Sequence, residues 1–239
     1  MKLKYLIIVL IVGLVYNGQL FAQETAKVER DYILSLSAMS YVYKDWQEKE
    51  SDDVRGYNIG ALLFDAVKNE VIGWNLNSIY KDTVGKTAHA EVGLMQGNIK
   101  KRGNLKGCHI VTTLEPCMMC SGMMVFLEVD SVKYIQTDPE YGNNIERLAA
   151  DYAGQPANER SMHIKSVRAI SGNYGAIFEN LYQAFRTNPD NKDVSMAKFL
   201  YTKSVRDIYK AAATELKNMR DVKFSQNRAL LSQVKSFLF

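Results

Sequence analysis

The chain has 239 residues, of which 47% are apolar; this suits a globular core with an extension and excludes a disordered or fibrous protein. The formal net charge is +4, and the basic excess lies in residues 192–239, which hold ten basic and four acidic residues. A positive charge excess of this size is explained by a solvated helical face as well as by a nucleic-acid-binding surface.

The N-terminus has the pattern of an export signal. Lys2 and Lys4 precede an apolar run over residues 6–15, and Ala22 offers a small residue for cleavage. The run is shorter than the roughly 20 residues that span a bilayer. We therefore predict a signal peptide over residues 1–22, an exported protein that is periplasmic or secreted, and no transmembrane span in the mature chain. An uncleaved anchor is the alternative.

The next segment predicts a helix followed by a β-hairpin. Apolar residues recur at spacings of three and four over residues 27–49, which indicates an amphipathic helix. Two apolar runs, 58–64 and 70–75, are joined by a turn-like connection and predict the hairpin. Gly60 lies inside the first strand, where a glycine is typical of close approach between backbone and ligand, so we count it as a substrate-binding candidate.

The centre of the chain predicts an α/β architecture. A strand over residues 108–113, a helix that ends near residue 128 and a strand over 131–137 follow one another closely. Such a unit has a right-handed crossover and a parallel strand pair. A further strand is predicted over 164–170 and a helix over 174–186. The expected result is a mixed sheet flanked by helices.

A break at Asn188 and Pro189 separates the last segment from the rest. Beyond it, apolar residues recur at helical spacing and predict an amphipathic helical hairpin. The division is then a signal peptide (1–22), a main domain (23–187) and a helical C-terminal extension (188–239). The extension could fold over a functional site of the main domain as a lid, or it could join two chains, and the sequence leaves both roles open.

Two short runs carry the chemistry, Thr87-Ala88-His89-Ala90-Glu91 and Thr113-Leu114-Glu115-Pro116-Cys117-Met118-Met119-Cys120. One imidazole and two thiols suit Zn²⁺, and three protein ligands leave the fourth position for water. Bound zinc lowers the pKa of that water towards ~7. Glu91 follows His89 by two residues and is the candidate catalytic group that carries the proton, whereas Glu115 is expected to orient the helix start.

A thiol redox motif is the main alternative for Cys117 and Cys120. In an oxidising compartment this pair could close into a disulfide unless a metal captured both thiolates. That interpretation leaves the histidine and glutamate of the first run unexplained. The third cysteine, Cys108, lies in a predicted strand and is expected to be a buried thiol, so the cysteines do not resemble a disulfide framework.

The stretch from about residue 57 to residue 137 resembles the cytidine and deoxycytidylate deaminase superfamily, and within it the tRNA adenosine deaminase branch most. The likeness lies in Ile72-Gly73-Trp74-Asn75 and in the two runs above. His-x-Glu followed by Pro-Cys-x-x-Cys is the signature of the zinc nucleobase deaminases.

This resemblance implies a three-layer α/β/α cytidine-deaminase-like fold for the catalytic domain 23–187, with a mixed sheet of about five strands. It implies that His89, Cys117 and Cys120 bind zinc and that Glu91 shuttles the proton. It also assigns Asn75 to the base or sugar of the substrate, and the backbone near Ala90 to the pocket lining. The loop before His89 is longer here, and residues 137–144 replace a glycine-rich segment of the tRNA enzymes, so the substrate stays open.

The predicted function is zinc-dependent hydrolytic deamination, in which an amino-bearing base of cytosine or adenine type becomes its keto form and ammonia is released. The expected partner is a small-molecule nucleoside, nucleotide or free base. An exported deaminase of single-stranded DNA or RNA is one alternative, with the basic extension contacting the backbone. A zinc-bound, non-catalytic binding module is another. A homodimer is possible on the resemblance.

Overall fold

The computed structural model describes residues 2–49, 54–81, 85–149, 164–168 and 174–239. Its strands are β1 (Gly60–Asp65), β2 (Glu70–Leu76), β3 (Cys108–Leu114), β4 (Ser131–Gln136) and β5 (Lys165–Arg168). Its helices are α1 (Lys2–Lys44), α2 (Ala90–Arg102), α3 (Met118–Phe126), α4 (Asn144–Ala149), α5 (Tyr174–Thr187), α6 (Met196–Phe199), α7 (Lys203–Asn218) and α8 (Ser225–Leu238). Short 3₁₀ turns lie at Gly85–Thr87 and Pro189–Asn191.

The five strands form one mixed sheet in the order β2-β1-β3-β4-β5. β1 is antiparallel to both β2 and β3, whereas β3, β4 and β5 are mutually parallel. The predicted hairpin and the predicted strand-helix-strand unit are therefore both confirmed. The last predicted strand is observed over Lys165–Arg168, and residues 169–170 lie outside the described part of the chain.

Helices cover both faces of this sheet. Successive side chains along each strand point to opposite faces, so each strand contacts both helical layers. Thr112 of β3 points to the face of α2 and donates to Glu91. On the opposite face, Lys133 of β4 forms a buried ion pair with Asp31 of α1. The predicted three-layer α/β/α arrangement is confirmed, with α2, α3 and α4 in one outer layer and α1, α5, α7 and α8 in the other.

The extension is part of this outer layer. Phe199, Tyr209 and Leu231 belong to the same buried cluster as Ile33 of α1 and the strand residues. The helical hairpin that is predicted for the extension corresponds to α7 and α8, both of which pack on α1. Trp74 of β2 is a packing residue here, since its ring stacks on Phe237 of α8 at 4.7 Å between centroids.

The first helix differs from its predicted bounds at both ends. It ends at Lys44, whereas the predicted end is residue 49. Directly after Lys44, the amide of Asp45 donates a hydrogen bond to the carbonyl of Val42 and forms a turn. It begins at Lys2 and so includes the segment predicted as a signal peptide, whose cleavage stays a prediction. Within the described ranges, no helix combines the length and apolarity that a membrane crossing requires.

Candidate active site and metal centre

Two helix starts on the same side of the sheet bring the predicted ligands together. His89 is the N-cap of α2 and Cys117 is the N-cap of α3, and both have extended backbone that turns into the helix. Pro116 precedes Cys117 and suits this turn because its fixed φ favours the entry to a helix. Cys120 follows by three residues and therefore lies on the same face of α3 as Cys117.

The three ligand atoms form a nearly equilateral triangle. The distances are 3.6 Å from Cys117 Sγ to His89 Nδ1, 3.6 Å from Cys120 Sγ to His89 Nδ1 and 3.6 Å between the two sulfur atoms. Zinc bound tetrahedrally at ~2.3 Å from sulfur and ~2.0–2.1 Å from nitrogen would hold such atoms roughly 3.5–3.8 Å apart. The residues present therefore fit the ion, and together they can hold a metal.

Contacts among these three groups set their protonation. The hydrogen bond with Cys120 lowers the pKa of the Cys117 thiol to about 4, and the bond with His89 adds to this against the effect of burial. The same contact with Cys117 and burial raise the pKa of Cys120. The bond to Cys117 raises the pKa of His89. One thiolate is thus available at neutral pH, and thiolates are the form that binds metal.

Glu91 lies directly beside this triangle. Its side chain is 3% exposed, and Thr112 Oγ1 donates a 2.8 Å hydrogen bond to its Oε1. The other oxygen, Oε2, lies 3.6 Å from Cys120 Sγ. Burial raises the pKa of this carboxyl, although hydrogen bonds from its own backbone amide and from Thr112 oppose the shift. A carboxyl with a raised pKa is suited to taking up and giving back a proton near neutral pH.

A cavity of about 680 Å³ opens onto the residues that can hold a metal. His89, Glu91 and Cys117 line it, together with Tyr57, Asn77 and Tyr80. Cavities of a few hundred Å³ that contain a few polar groups are typical of small-molecule sites. The metal-binding residues, the carboxyl and a space for a ligand therefore occur in one place.

The structure places the other predicted site residues outside this cavity. Asn75 Nδ2 donates to the carbonyl of Ala90 at 3.1 Å, and Asn75 lines a separate depression behind His89. Gly60 approaches Val42 of α1, because a Cβ atom at residue 60 would lie 2.6 Å from Val42 Cγ2. Helix packing therefore accounts for this glycine, and the substrate contacts of Asn75, Ala90 and Gly60 stay predictions.

Several residues of the cavity were not predicted. Asn77 lines it and accepts a 3.0 Å hydrogen bond from the amide of Tyr57. Asn77 lies two residues beyond Asn75, so the strand pattern alone could not decide which asparagine reaches the metal side. Met196 of the extension also lines the cavity, and no local signal in the sequence connects it with the motifs.

Glu115 holds a loop and not the helix start that was expected. Its two oxygens accept hydrogen bonds from the amides of Asp138, at 2.9 Å, and Asn143, at 2.8 Å. Glu115, Asp138 and Glu140 all line the cavity. Burial raises the pKa of Asp138, and the neighbouring carboxylates of Glu140 and Glu115 raise it further.

Part of this chain matches a known family model. Residues 36–136 match the cytidine and deoxycytidylate deaminase zinc-binding region. The predicted resemblance is therefore confirmed over these residues, and with it the zinc cofactor, since the histidine and two cysteines that can hold a metal lie within them.

Among curated proteins, the tRNA-specific adenosine deaminase of Haemophilus influenzae is 32% identical over 87 residues, which are 35% of this chain and 49% of that protein. The tRNA-specific adenosine deaminase of Bacillus subtilis is 30% identical over 98 residues, which are 40% of this chain and 59% of that protein. The chain thus spans about half the length of the curated relatives it matches.

Solved structures of two deaminases are similar to this chain. A tRNA:A34 deaminase is 27% identical with a TM-score of 0.37, and the alignment covers 46% of this chain and 82% of that one. A guanine deaminase from Nitrosomonas europaea is 19% identical with a TM-score of 0.41, and the alignment covers 62% of this chain and 83% of that one.

Proposed function

We propose that this protein is a zinc-dependent hydrolytic deaminase, which converts an amino-bearing nucleobase to its keto form and releases ammonia. The observation that carries the proposal is the position of Glu91, whose carboxyl lies 3.6 Å from Cys120 Sγ inside the cavity onto which the metal-binding residues open. A structural zinc site needs no such acid, whereas hydrolysis of an amino group needs one to move protons.

The residues of the site have separate roles in this proposal. His89, Cys117 and Cys120 would hold zinc, which when bound lowers the pKa of a water molecule towards ~7. Glu91 takes the proton of the attacking water, delivers it to the ring nitrogen and later protonates the leaving ammonia. Thr112 holds Oε1, so Oε2 is the oxygen left for proton transfer. Thr112 is in this sense a positioning residue.

The substrate class in this proposal is a nucleoside, nucleotide or free base of cytosine or adenine type. The cavity volume of about 680 Å³ supports a small substrate. The relatives named tRNA-specific adenosine deaminases support the alternative, in which the substrate is single-stranded DNA or RNA. Salt separates the two, because nucleic-acid binding weakens steeply with salt and turnover of a free base does not.

The test is ammonia release by the purified chain at known zinc content. Cytidine, adenosine, guanine, their nucleotides and single-stranded DNA and RNA are offered separately. We expect turnover of a small substrate. Turnover of polymer alone would favour the nucleic-acid alternative. Full zinc occupancy without turnover of any substrate would contradict the proposal and favour a non-catalytic binding module.

We also propose a homodimer that forms through α3. Three apolar side chains of this helix reach the surface, Met118 at 67%, Met119 at 37% and Phe126 at 71% exposure. Clustered exposed apolar residues are typical of an interaction surface. Light scattering should give twice the chain mass, and Phe126→Glu should give a monomer. A wild-type monomer at high concentration would contradict this proposal.

Export is the last part of the proposal and rests on the N-terminal pattern. The mature protein would begin near residue 23. N-terminal sequencing of protein from the periplasm or the medium tests this, and an intact N-terminus on protein from the cytosol would refute it.

A further inference from the structure

The cavity above the metal-binding residues is lined by an excess of carboxyl groups. Besides Glu91, they are Glu115, Asp138 and Glu140. Among the described residues that line the cavity, Lys86 is the one lysine and none is an arginine. Lys86 and Glu140 are both exposed, whereas Glu115 and Asp138 are buried. A site that binds phosphate usually presents arginine, lysine or several free backbone amides.

Backbone amides hold these carboxyl groups in place without neutralising them. Both oxygens of Glu115 accept from the loop at residues 138–143. Oδ1 of Asp138 accepts from the amides of Glu140 and Tyr141 at 2.9 Å and 3.0 Å. No described lysine or arginine forms an ion pair with Glu115, Asp138 or Glu140. The same loop amides are therefore occupied and not available to a phosphate.

The extension closes one side of this acidic cavity. Ser195, Met196 and Ala197 line it, and the amide of Met196 donates to Glu140 Oε1 at 2.9 Å. The segment after them is anchored to the main domain, because Asn58 Nδ2 donates to the carbonyl of Leu200 at 3.2 Å. The Tyr201 hydroxyl also donates to the carbonyl of Gly56 at 2.9 Å. A nucleic-acid strand would have to pass this fixed wall with its phosphates beside carboxylates.

We infer that the substrate carries no phosphate and is a free base or a nucleoside. The inference rests on the proposed function and narrows it. The two cysteines would bind zinc as thiolates and so offset the charge of the ion, which leaves the carboxyl groups to set the sign of the cavity's charge. A monophosphate carries nearly two negative charges at neutral pH, and like charges in a partly buried site repel each other. We expect the monophosphate to have a kcat/KM roughly tenfold to a hundredfold below that of the matching nucleoside at low salt.

The experiment measures ammonia release by the zinc-loaded chain at low and high ionic strength. Cytidine, adenosine and guanosine are compared with their 5′-monophosphates, and guanine, adenine and cytosine with a single-stranded oligonucleotide. Turnover of a base or nucleoside well above that of the phosphate-bearing forms supports the inference. Salt should then raise the rate with any monophosphate that is turned over, because it screens repulsion. A monophosphate or oligonucleotide that matches or exceeds the uncharged substrate overturns the inference while leaving deamination intact. Absence of all turnover refutes the proposed function instead.

Glu140→Gln tests the origin of the selectivity. The amide oxygen can still accept from Met196, so the wall is retained while one charge is removed. The ratio of nucleoside to monophosphate kcat/KM should fall several-fold at low salt. Asp207→Asn is the control, since it removes the same charge from an exposed residue of α7 that does not line the cavity. If both variants change the ratio equally, or if Glu140→Gln leaves it unchanged, the Glu140 carboxylate is not the cause of the preference for the nucleoside.

Discussion

Replacing Glu91 with glutamine tests the proposed chemistry most directly, because the two side chains have almost the same shape. The substituted side chain can keep the hydrogen bond from Thr112 through its amide oxygen, but it cannot accept a proton. We expect kcat to fall by roughly 10²–10⁴, the usual contribution of a positioned general acid–base group. Zinc content should not change, since the three metal-binding residues are untouched.

The same variant should be at least as stable as the parent chain when zinc is absent from both. Burial raises the pKa of Glu91, so its carboxylate costs more free energy in the folded chain than in the unfolded chain at neutral pH. Removing a buried charge that has a neutral isostere should raise the free energy of unfolding by on the order of 1 kcal/mol. Denaturant unfolding of the two zinc-free proteins at pH 7 measures this difference.

Glu115→Gln is the matched control, since it makes the same change to another carboxyl that lines the cavity. Glu115 contacts the loop amides of Asp138 and Asn143, and an amide can accept only through its single oxygen. We expect a loss of about 1–3 kcal/mol of stability from the lost charge-assisted bond, with kcat within about tenfold of the parent. If Glu91→Gln keeps kcat within tenfold, or loses zinc together with its rate, the assignment of Glu91 as proton shuttle is wrong.

Three further predictions concern the thiols, the buried histidine and the buried ion pair. Chelation followed by mild oxidation should remove two of the three thiols, because Cys117 Sγ and Cys120 Sγ lie 3.6 Å apart and can form a disulfide. The zinc-loaded chain should keep all three thiols, and equal thiol loss with zinc would contradict this. Burial, aided by nearby Arg30, lowers the pKa of His109 to about 4. Below pH 6.5 the unfolded chain therefore binds a proton that the fold rejects, and the zinc-free chain should lose up to about 3 kcal/mol between pH 6.5 and 4; a His109→Phe variant with the same loss would exclude this cause. Lys133→Met should cost about 1–3 kcal/mol in denaturant unfolding, because the buried carboxylate of Asp31 then keeps only its ion pair with Arg30. A second change, Asp31→Leu, should restore part of this loss, and no recovery in the double variant would show that the loss has another origin.

The meeting of His89, Cys117 and Cys120 could be predicted because each residue is fixed by local chain geometry. A proline before Cys117 and a three-residue spacing to Cys120 define the start of a helix and one of its faces, whatever surrounds them. His89 and Glu91 likewise share the first turn of α2. The strands were predictable for the same reason, since alternation and turns are short-range signals.

The residues that surround the ligand space could not be predicted in this way. The strand pattern predicts that Gly60 contacts a ligand, but its neighbour in the structure is Val42, which belongs to a different element. Asn75 and Asn77 belong to the same run, and only the meeting of β2 with α2 and the adjacent loop decides which of them reaches the cavity. Contacts between distant segments depend on packing, which a single sequence does not record.

The extension shows why such contacts matter for function. The sequence separates residues 188–239 from the main domain, yet Phe199, Tyr209 and Leu231 share its core, and Met196 fixes Glu140 at the edge of the cavity. Removing the extension would expose that core and unfold the chain, so truncation cannot reveal what the segment does for the substrate. A substitution at the contact between Met196 and Glu140 can reveal this role, because Glu140→Gln alters the charge at the cavity while the packing of α7 and α8 on α1 is kept. The substrate preference of this chain is therefore to be sought in its last fifty residues and the loop they hold, and the chemistry in the two motifs.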